Sequence, residues 1–182
     1  MKQKLVLLNG SFATGKTTLA KMLAEYYKKS VHIDVDQMKW NIRNGYIDEE
    51  DVIKGIYQLR DCINQHIVAI QACYQAASIF FANGYNLLIS DPAYNEKLIN
   101  AHLSEIDKFN NVEVYKILLI VDHNNMKDRC AKQKRSTSPK LFELFSSSFR
   151  SINEAQWDVV DTSNKDIVKV FDQIRTILDI AK

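Results

Sequence analysis

Glycine and proline are scarce in this chain, five and two among 182 residues. So few breakers leave no room for a disordered linker, and no internal repeat or low-complexity tract occurs. Cysteine is scarcer than a disulfide frame needs. Cys62, Cys73 and Cys130 are an odd number without C-x-x-C spacing, which excludes a cysteine zinc site and points to thiols in a reducing compartment. The four histidines, His32, His66, His102 and His123, show no metal-ligand spacing either. Long apolar runs are absent too. The run near the N-terminus is too short for a signal-peptide core, and no later stretch is long enough for a bilayer, so the expectation is a cytoplasmic protein with no membrane partner. A formal net charge of +2 is too small to draw nucleic acid by long-range attraction. What remains, 46% hydrophobic and 25% charged residues over 182 positions, is the composition and length of one globular domain.

Against that background one stretch stands out. Gly10-Ser11-Phe12-Ala13-Thr14-Gly15-Lys16-Thr17 fits the phosphate-binding pattern G-x-x-x-x-G-K-[ST] at every fixed position. Before it lies the short apolar run Leu5-Val6-Leu7-Leu8, as in a strand buried on both faces. After it, Leu19, Met22, Leu23 and Tyr26 recur at helical spacing. Strand, glycine loop and helix are the context the pattern requires. Gly10 and Gly15 let the backbone turn so that successive N–H groups point into one concavity. The helix aims its unpaired N–H groups and positive dipole end at the same point. The expected phosphate-binding set is Gly10, Ser11, Ala13, Thr14, Gly15, Lys16, Thr17 and Thr18. Within it Lys16 reaches the β and γ phosphates, and the Thr17 hydroxyl holds Mg²⁺.

The rest of the chain alternates strands and helices. Val31 to Asp36 reads as a second strand ending in two carboxylates, with His32, Asp34 and, if still extended, Asp36 on one side. Parallel to the first strand, it would open beside the glycine loop, where open α/β sheets bind ligands. Acids there can serve Mg²⁺ or take a proton from an attacking hydroxyl, or they can cap the next helix. From Asp48 to Asn83 the pattern is helical, with a break expected near Arg60–Asn64, and Asn83-Gly84 ends it. Tyr85 to Asp91 reads as the third strand; Asp91 is either a Mg²⁺-supporting acid or a turn acid before Pro92. Asn95 to Phe109 is an amphipathic helix and Val112 to Val121 the fourth strand. The basic segment Met126 to Arg135 follows, either a lid whose Arg129 and Arg135 close over a triphosphate or a solvated helix face. Leu141 to Ile152 is helical, Trp157 to Val160 a fifth strand, and Asp166 to Ile180 the last helix. Five strands alternating with helices mean an α/β fold with a mainly parallel sheet.

These residues together resemble the P-loop kinases of the nucleotide- and shikimate-kinase type. The resemblance is carried by Gly10–Thr17, Asp34-x-Asp36, Asp91, the Arg129–Arg135 segment and Asp161-Thr162-Ser163. Within that group the chain is most similar to the small hydroxyl kinases related to chloramphenicol phosphotransferase, zeta toxins and the kinase domain of polynucleotide kinase. Asp34 and Asp36 match the Asp-x-Asp pair of shikimate kinases, whose first acid is near Mg²⁺ and whose second is near the acceptor hydroxyl. In polynucleotide kinase the acceptor-side Asp is followed three positions later by Arg; here Lys39 follows Asp36. Both comparisons make Asp36 the general base. The resemblance further implies a three-layer α/β/α P-loop NTPase, sheet order 2-3-1-4-5, with adenine held by the lid root and the loop after strand five. It divides the single domain 1–182 into an acceptor-binding insertion at about 39–83 and a helical lid at about 126–151. Two departures stand out. Four residues after Arg129 comes Gln133, where these families often place a second arginine, and the shikimate-binding Gly-Gly pattern is absent.

The expectation is therefore a kinase that moves the γ-phosphoryl group of ATP to a hydroxyl of a small molecule, a nucleoside or a 5′-hydroxyl end. Lys16, Asp36, Arg129 and Arg135 are its catalytic residues, and Thr17, Asp34 and Asp91 its Mg²⁺ residues. Trp40 and Tyr46 offer stacking surfaces for the acceptor, and Arg43 and Arg60 offer anion contacts. A nucleoside monophosphate kinase is the near rival, but its anionic acceptor needs no base and Asp36 would repel it. A GTP-hydrolysing switch would want N-K-x-D, which Asn164-Lys165-Asp166-Ile167 misses. A module that holds nucleotide without turnover is the third alternative.

Overall fold

The structure is a computed structural model and describes residues 2–133, 138–150 and 152–180. Strand β1 (Gln3–Gly10) leads through the glycine loop into helix α1 (Lys16–Tyr26), and β2 (Ser30–Asp34) into α2 (Val35–Lys39). Next come α3 (Glu49–Ile53), the long α4 (Leu59–Ala82), β3 (Asn86–Asp91), α5 (Glu96–Ile106) and β4 (Val112–Ile120). The chain closes with α6 (His123–Lys132), α7 (Pro139–Arg150), β5 (Asp158–Asp161) and α8 (Ile167–Ile180).

The five strands form one sheet in the order β2-β3-β1-β4-β5, and all four pairings are parallel. That is the expected order. A parallel sheet needs helices on both faces, and the residues of β1 show why its sequence is continuously apolar. Leu5 and Leu7 face the core made with α4, α5 and α7, through Ile70, Tyr74, Leu98 and Phe145. Val6 and Leu8 face the opposite core made with α1 and α8, through Leu19, Leu23, Val170 and Ile174. All four are fully buried, each worth about 1.5–3 kcal/mol relative to exposure. The glycine loop thus leaves from the best-anchored strand of the sheet.

Two boundaries differ from the sequence reading. The break in the helical stretch falls at residues 54–58, not at Arg60–Asn64, because Gly55 adopts φ +74° after α3. Its N–H closes a turn on the Val52 carbonyl, whereas Leu59–Ala82 contains no glycine or proline and runs unbroken. The second strand is also shorter than expected. It stops at Asp34, whose side chain accepts from the Gln37 N–H at 3.3 Å and so caps α2. Asp36 therefore belongs to the first turn of a helix, not to the strand face it was expected to share with Asp34. Among the described residues, no helix is long and apolar enough to cross a membrane.

Candidate active site

The glycine loop is built from within. The Thr14 hydroxyl donates to the Ser11 carbonyl at 2.7 Å, and Lys16 Nζ donates to the same carbonyl at 2.8 Å. Asn9, fully buried, accepts from the Gly10 N–H at 2.8 Å and donates through Nδ2 to the Ala93 carbonyl at 3.1 Å. Gly10 has no room for a side chain, since a Cβ there would lie 2.5 Å from the Leu119 carbonyl oxygen. Gly15, at φ +94°, opens α1 with no side-chain cap and no acid in the first turn. The amides and positive dipole end of that helix are thereby left for an anion from outside the chain.

A cavity of about 390 Å³ opens over this loop, within the range of small-molecule sites. On the loop side it is lined by Ala13, Gly15, Lys16, Thr17 and Thr18. Gly10 and the buried side chains of Ser11 and Thr14 shape the loop from beneath. Across from it stand Asp34 and Asp36. The Thr17 hydroxyl donates to Asp34 Oδ2 at 2.9 Å. These are two hard oxygen ligands at the loop, a donor set that fits Mg²⁺. Asp36 is set differently. Burial, and after it the charge of Asp91, push its pKa up from 3.8 to about 6, against the opposing pull of His66 and Lys16. A carboxylate tuned to that range can both hold and release a proton near neutral pH.

Asp91, read from the sequence as either a Mg²⁺-supporting acid or a turn acid, is engaged by two histidines. It is completely buried, and both its oxygens are engaged, Oδ1 by His66 Nε2 at 2.7 Å and Oδ2 by His102 Nε2 at 2.8 Å. Burial alone would raise its pKa, but the His66 and His102 rings beside it hold it well below the carboxylate range. An ionised carboxylate only accepts hydrogen bonds, so each Nε2 carries a proton. His102 Nδ1 lies 3.1 Å from the Tyr74 hydroxyl. Burial works to lower the His66 pKa, yet the Asp91 charge prevails and the net shift is upward. One ligand atom from each of Asp36, His66 and Asp91 lies within 4.8 Å of the others. Asp91 Oδ1 and His66 Nε2 are already spent on one another and Asp91 Oδ2 on His102, leaving Asp36 and His66 Nδ1 as the open groups of that cluster.

Arg129 does not line the cavity. Its guanidinium donates to the Ala13 carbonyl at 3.2 Å, to Thr162 Oγ1 at 3.1 Å and to the Thr162 carbonyl at 2.6 Å. It ties the glycine loop to Thr162, just past the end of β5. Arg135 lies outside the described residues. Arg43 and Arg60 are exposed and line no part of the cavity, whereas Trp40 and Tyr46 do line it.

His66, His102 and Tyr74 were not singled out as a site by the sequence reading. The available signal was positional. His66 falls in the buried stripe Ile63, Ile70, Cys73, Tyr74 of α4, and His102 follows buried Leu98 by one turn of α5. A polar side chain inside an apolar stripe needs a partner, but its identity comes only from the sheet packing that brings β3 beneath both helices.

No protein-family model matches the chain, and no curated protein matches it in sequence. Solved structures do match. The tunicamycin resistance protein of Deinococcus radiodurans superposes with a TM-score of 0.70 at 15% identity, covering 98% of this chain and 96% of that one. A sugar kinase from Janibacter sp. HTCC2649 gives 0.66 at 15%, over 98% and 96%. Shikimate kinase from Aquifex aeolicus gives 0.63 at 16%, over 96% of each chain. At such identities the likeness is one of fold, and it extends from end to end: the chain has the fold of the small P-loop kinases.

Proposed function

We propose that the protein transfers the γ-phosphoryl group of ATP to a hydroxyl of a small-molecule or nucleoside acceptor. The observation that carries this reading is the shared cavity, with the loop, Lys16 and Thr17 on one side and Asp36 on the other. The phosphate tail lies in the amides of Ala13 to Thr18, with the Lys16 ammonium on its oxygens. Thr17 and Asp34 hold Mg²⁺, which when bound neutralises charge on the β and γ oxygens. Asp36 takes the proton of the acceptor hydroxyl as its oxygen bonds to the γ phosphorus. The bond from that phosphorus to the bridging oxygen breaks, and the nucleoside diphosphate leaves. Little covalent chemistry falls to the protein, whose work is positioning and charge.

Residues 39–83 supply the acceptor side and residues 126–151 the lid. Arg129 acts through the loop it braces, and Arg135 remains the lid arginine assigned to the transferring group. Names such as sugar kinase and shikimate kinase among proteins of this fold support a hydroxyl acceptor. The three cysteines are buried thiols, in keeping with a reducing cytoplasm.

ATP labelled at the γ position, incubated with pools of nucleosides, sugars and 5′-hydroxyl oligonucleotides, tests the reading. A labelled acceptor is expected. Brisk hydrolysis of ATP with every pool unlabelled would overturn it in favour of a nucleotide switch.

A further inference from the structure

The acceptor end of the cavity carries more negative charge than proton abstraction requires. Besides Asp36, the wall formed by α2, α3 and the loop between them brings Asp48, Glu49 and Glu50 to the cavity. Of the two ammonium groups that line the cavity, Lys16 belongs to the loop side, and the wall's carboxylates have Lys39 beside them. Lys39 is already answered, being 2% exposed with Nζ 3.7 Å from Glu49 Oε1 and 3.5 Å from Cys62 Sγ. No arginine is among the cavity's described lining residues. His66 also lines it, and its buried Nδ1 has no hydrogen-bond partner among the described residues.

An ionised carboxylate offers about four lone-pair sites and no donor. Asp48 spends Oδ1 on the Asp51 N–H at 2.9 Å, and Glu50 spends Oε1 on the Ser138 N–H at 2.8 Å. Both keep acceptor capacity beyond these bonds. A ligand that satisfies such a wall brings hydrogen-bond donors, and a positive charge on it is attracted. An anion there is repelled, and in a partly enclosed site more strongly than in water. The ring of Trp40, 52% exposed, and that of Tyr46 line the same wall. Aromatic faces of this kind receive cations and the apolar face of a ring.

We propose that the phosphoryl acceptor is a hydroxylated cation, an amine-bearing sugar or cyclitol, whose ammonium is held by Asp48 and Glu50 while its hydroxyl meets Asp36. The inference rests on the kinase reading above and narrows its substrate.

The test compares acceptors that share a ring and differ in charge. Glucosamine and 2-deoxystreptamine are the cations, glucose the neutral partner and glucuronate the anion, each with γ-labelled ATP. The expected kcat/KM for the better amine exceeds that for glucose at least tenfold, with glucuronate unlabelled. The double variant Asp48→Asn, Glu50→Gln removes two charges while keeping an acceptor for the Asp51 and Ser138 N–H groups, and thermal unfolding with MgATP verifies that it folds. Its kcat/KM for the amine should fall about tenfold, with glucose changing by less than about twofold. Equal losses for amine and glucose, or labelling of glucuronate in preference to both, overturn the inference and leave the kinase reading standing. No label in any acceptor while ATP is hydrolysed overturns both.

Discussion

Replacing Asp36 with Asn separates two consequences of one carboxylate. In the folded protein, burial and the neighbouring Asp91 charge raise its pKa from 3.8 to about 6. Each pK unit corresponds to about 1.4 kcal/mol, so the ionised form costs the folded state at most about 3 kcal/mol. The folded pKa is the higher one, so the folded chain binds this proton more tightly than the unfolded chain. The stability linked to it is fully present below pH 3.8 and is lost as pH rises through about 6. Asn never ionises. Relative to the wild type, the variant should be equally stable near pH 4 and more stable by about 1–3 kcal/mol at pH 8. For a chain of this size that is a rise in Tm of about 3–10 °C. Its kcat should fall by about 10²–10⁴, the usual worth of a positioned base. Wild-type activity should climb with pH through about 6 as the base loses its proton. Urea denaturation at pH 4 and pH 8, with initial rates beside it, measures all three. A variant no more stable at pH 8 than at pH 4, relative to wild type, would refute the argument that Asp36 is held against its own charge. Retained kcat would remove it as the base.

Three further outcomes follow from the surroundings of the site. Asp91→Asn should destabilise the fold by about 3–5 kcal/mol at pH 7, since it breaks a buried charged network. The native pKa of Asp91 is depressed, so this penalty is present above the unfolded carboxylate range and shrinks as pH falls; a pH-independent loss in chemical denaturation would contradict it. Gly10→Ala would place a Cβ 2.5 Å from the Leu119 carbonyl at φ +152° and should abolish the thermal stabilisation given by MgATP, which an intact thermal shift would disprove. Arg129→Ala frees the loop from Thr162 and should raise the KM for ATP about tenfold or more with a smaller change in kcat; steady-state kinetics showing the reverse split would place Arg129 over the transferring group instead.

The glycine loop was legible in the sequence because its chemistry is local. Backbone freedom at Gly10 and Gly15, a buried strand before and a helix after are all written within 27 residues. The alternation of strands and helices was legible for the same reason. Where the reading slipped, the cause was tertiary. Asp36 left the strand because Asp34 found a capping bond to the Gln37 N–H, a choice that alternation in Val31–Asp36 does not reveal. Asp91 stayed open between a metal-supporting acid and a turn acid because its partners, His66 and His102, lie 25 and 11 residues away on two different helices. Arg129 stood in a basic run that reads equally as lid or surface, and only the packing of α6 against Ala13 and its bonds to Thr162 turned its guanidinium inward.

The division between Asp34 on a strand and Asp36 on the helix that follows has an evolutionary corollary. In the proposed function, nucleotide handling belongs to the sheet and its first loop. Choice of substrate there belongs to the outboard segment from α2 to the start of α4. On that reading a lineage could recast residues 37–58 for a new compound while keeping Asp36 and the glycine loop.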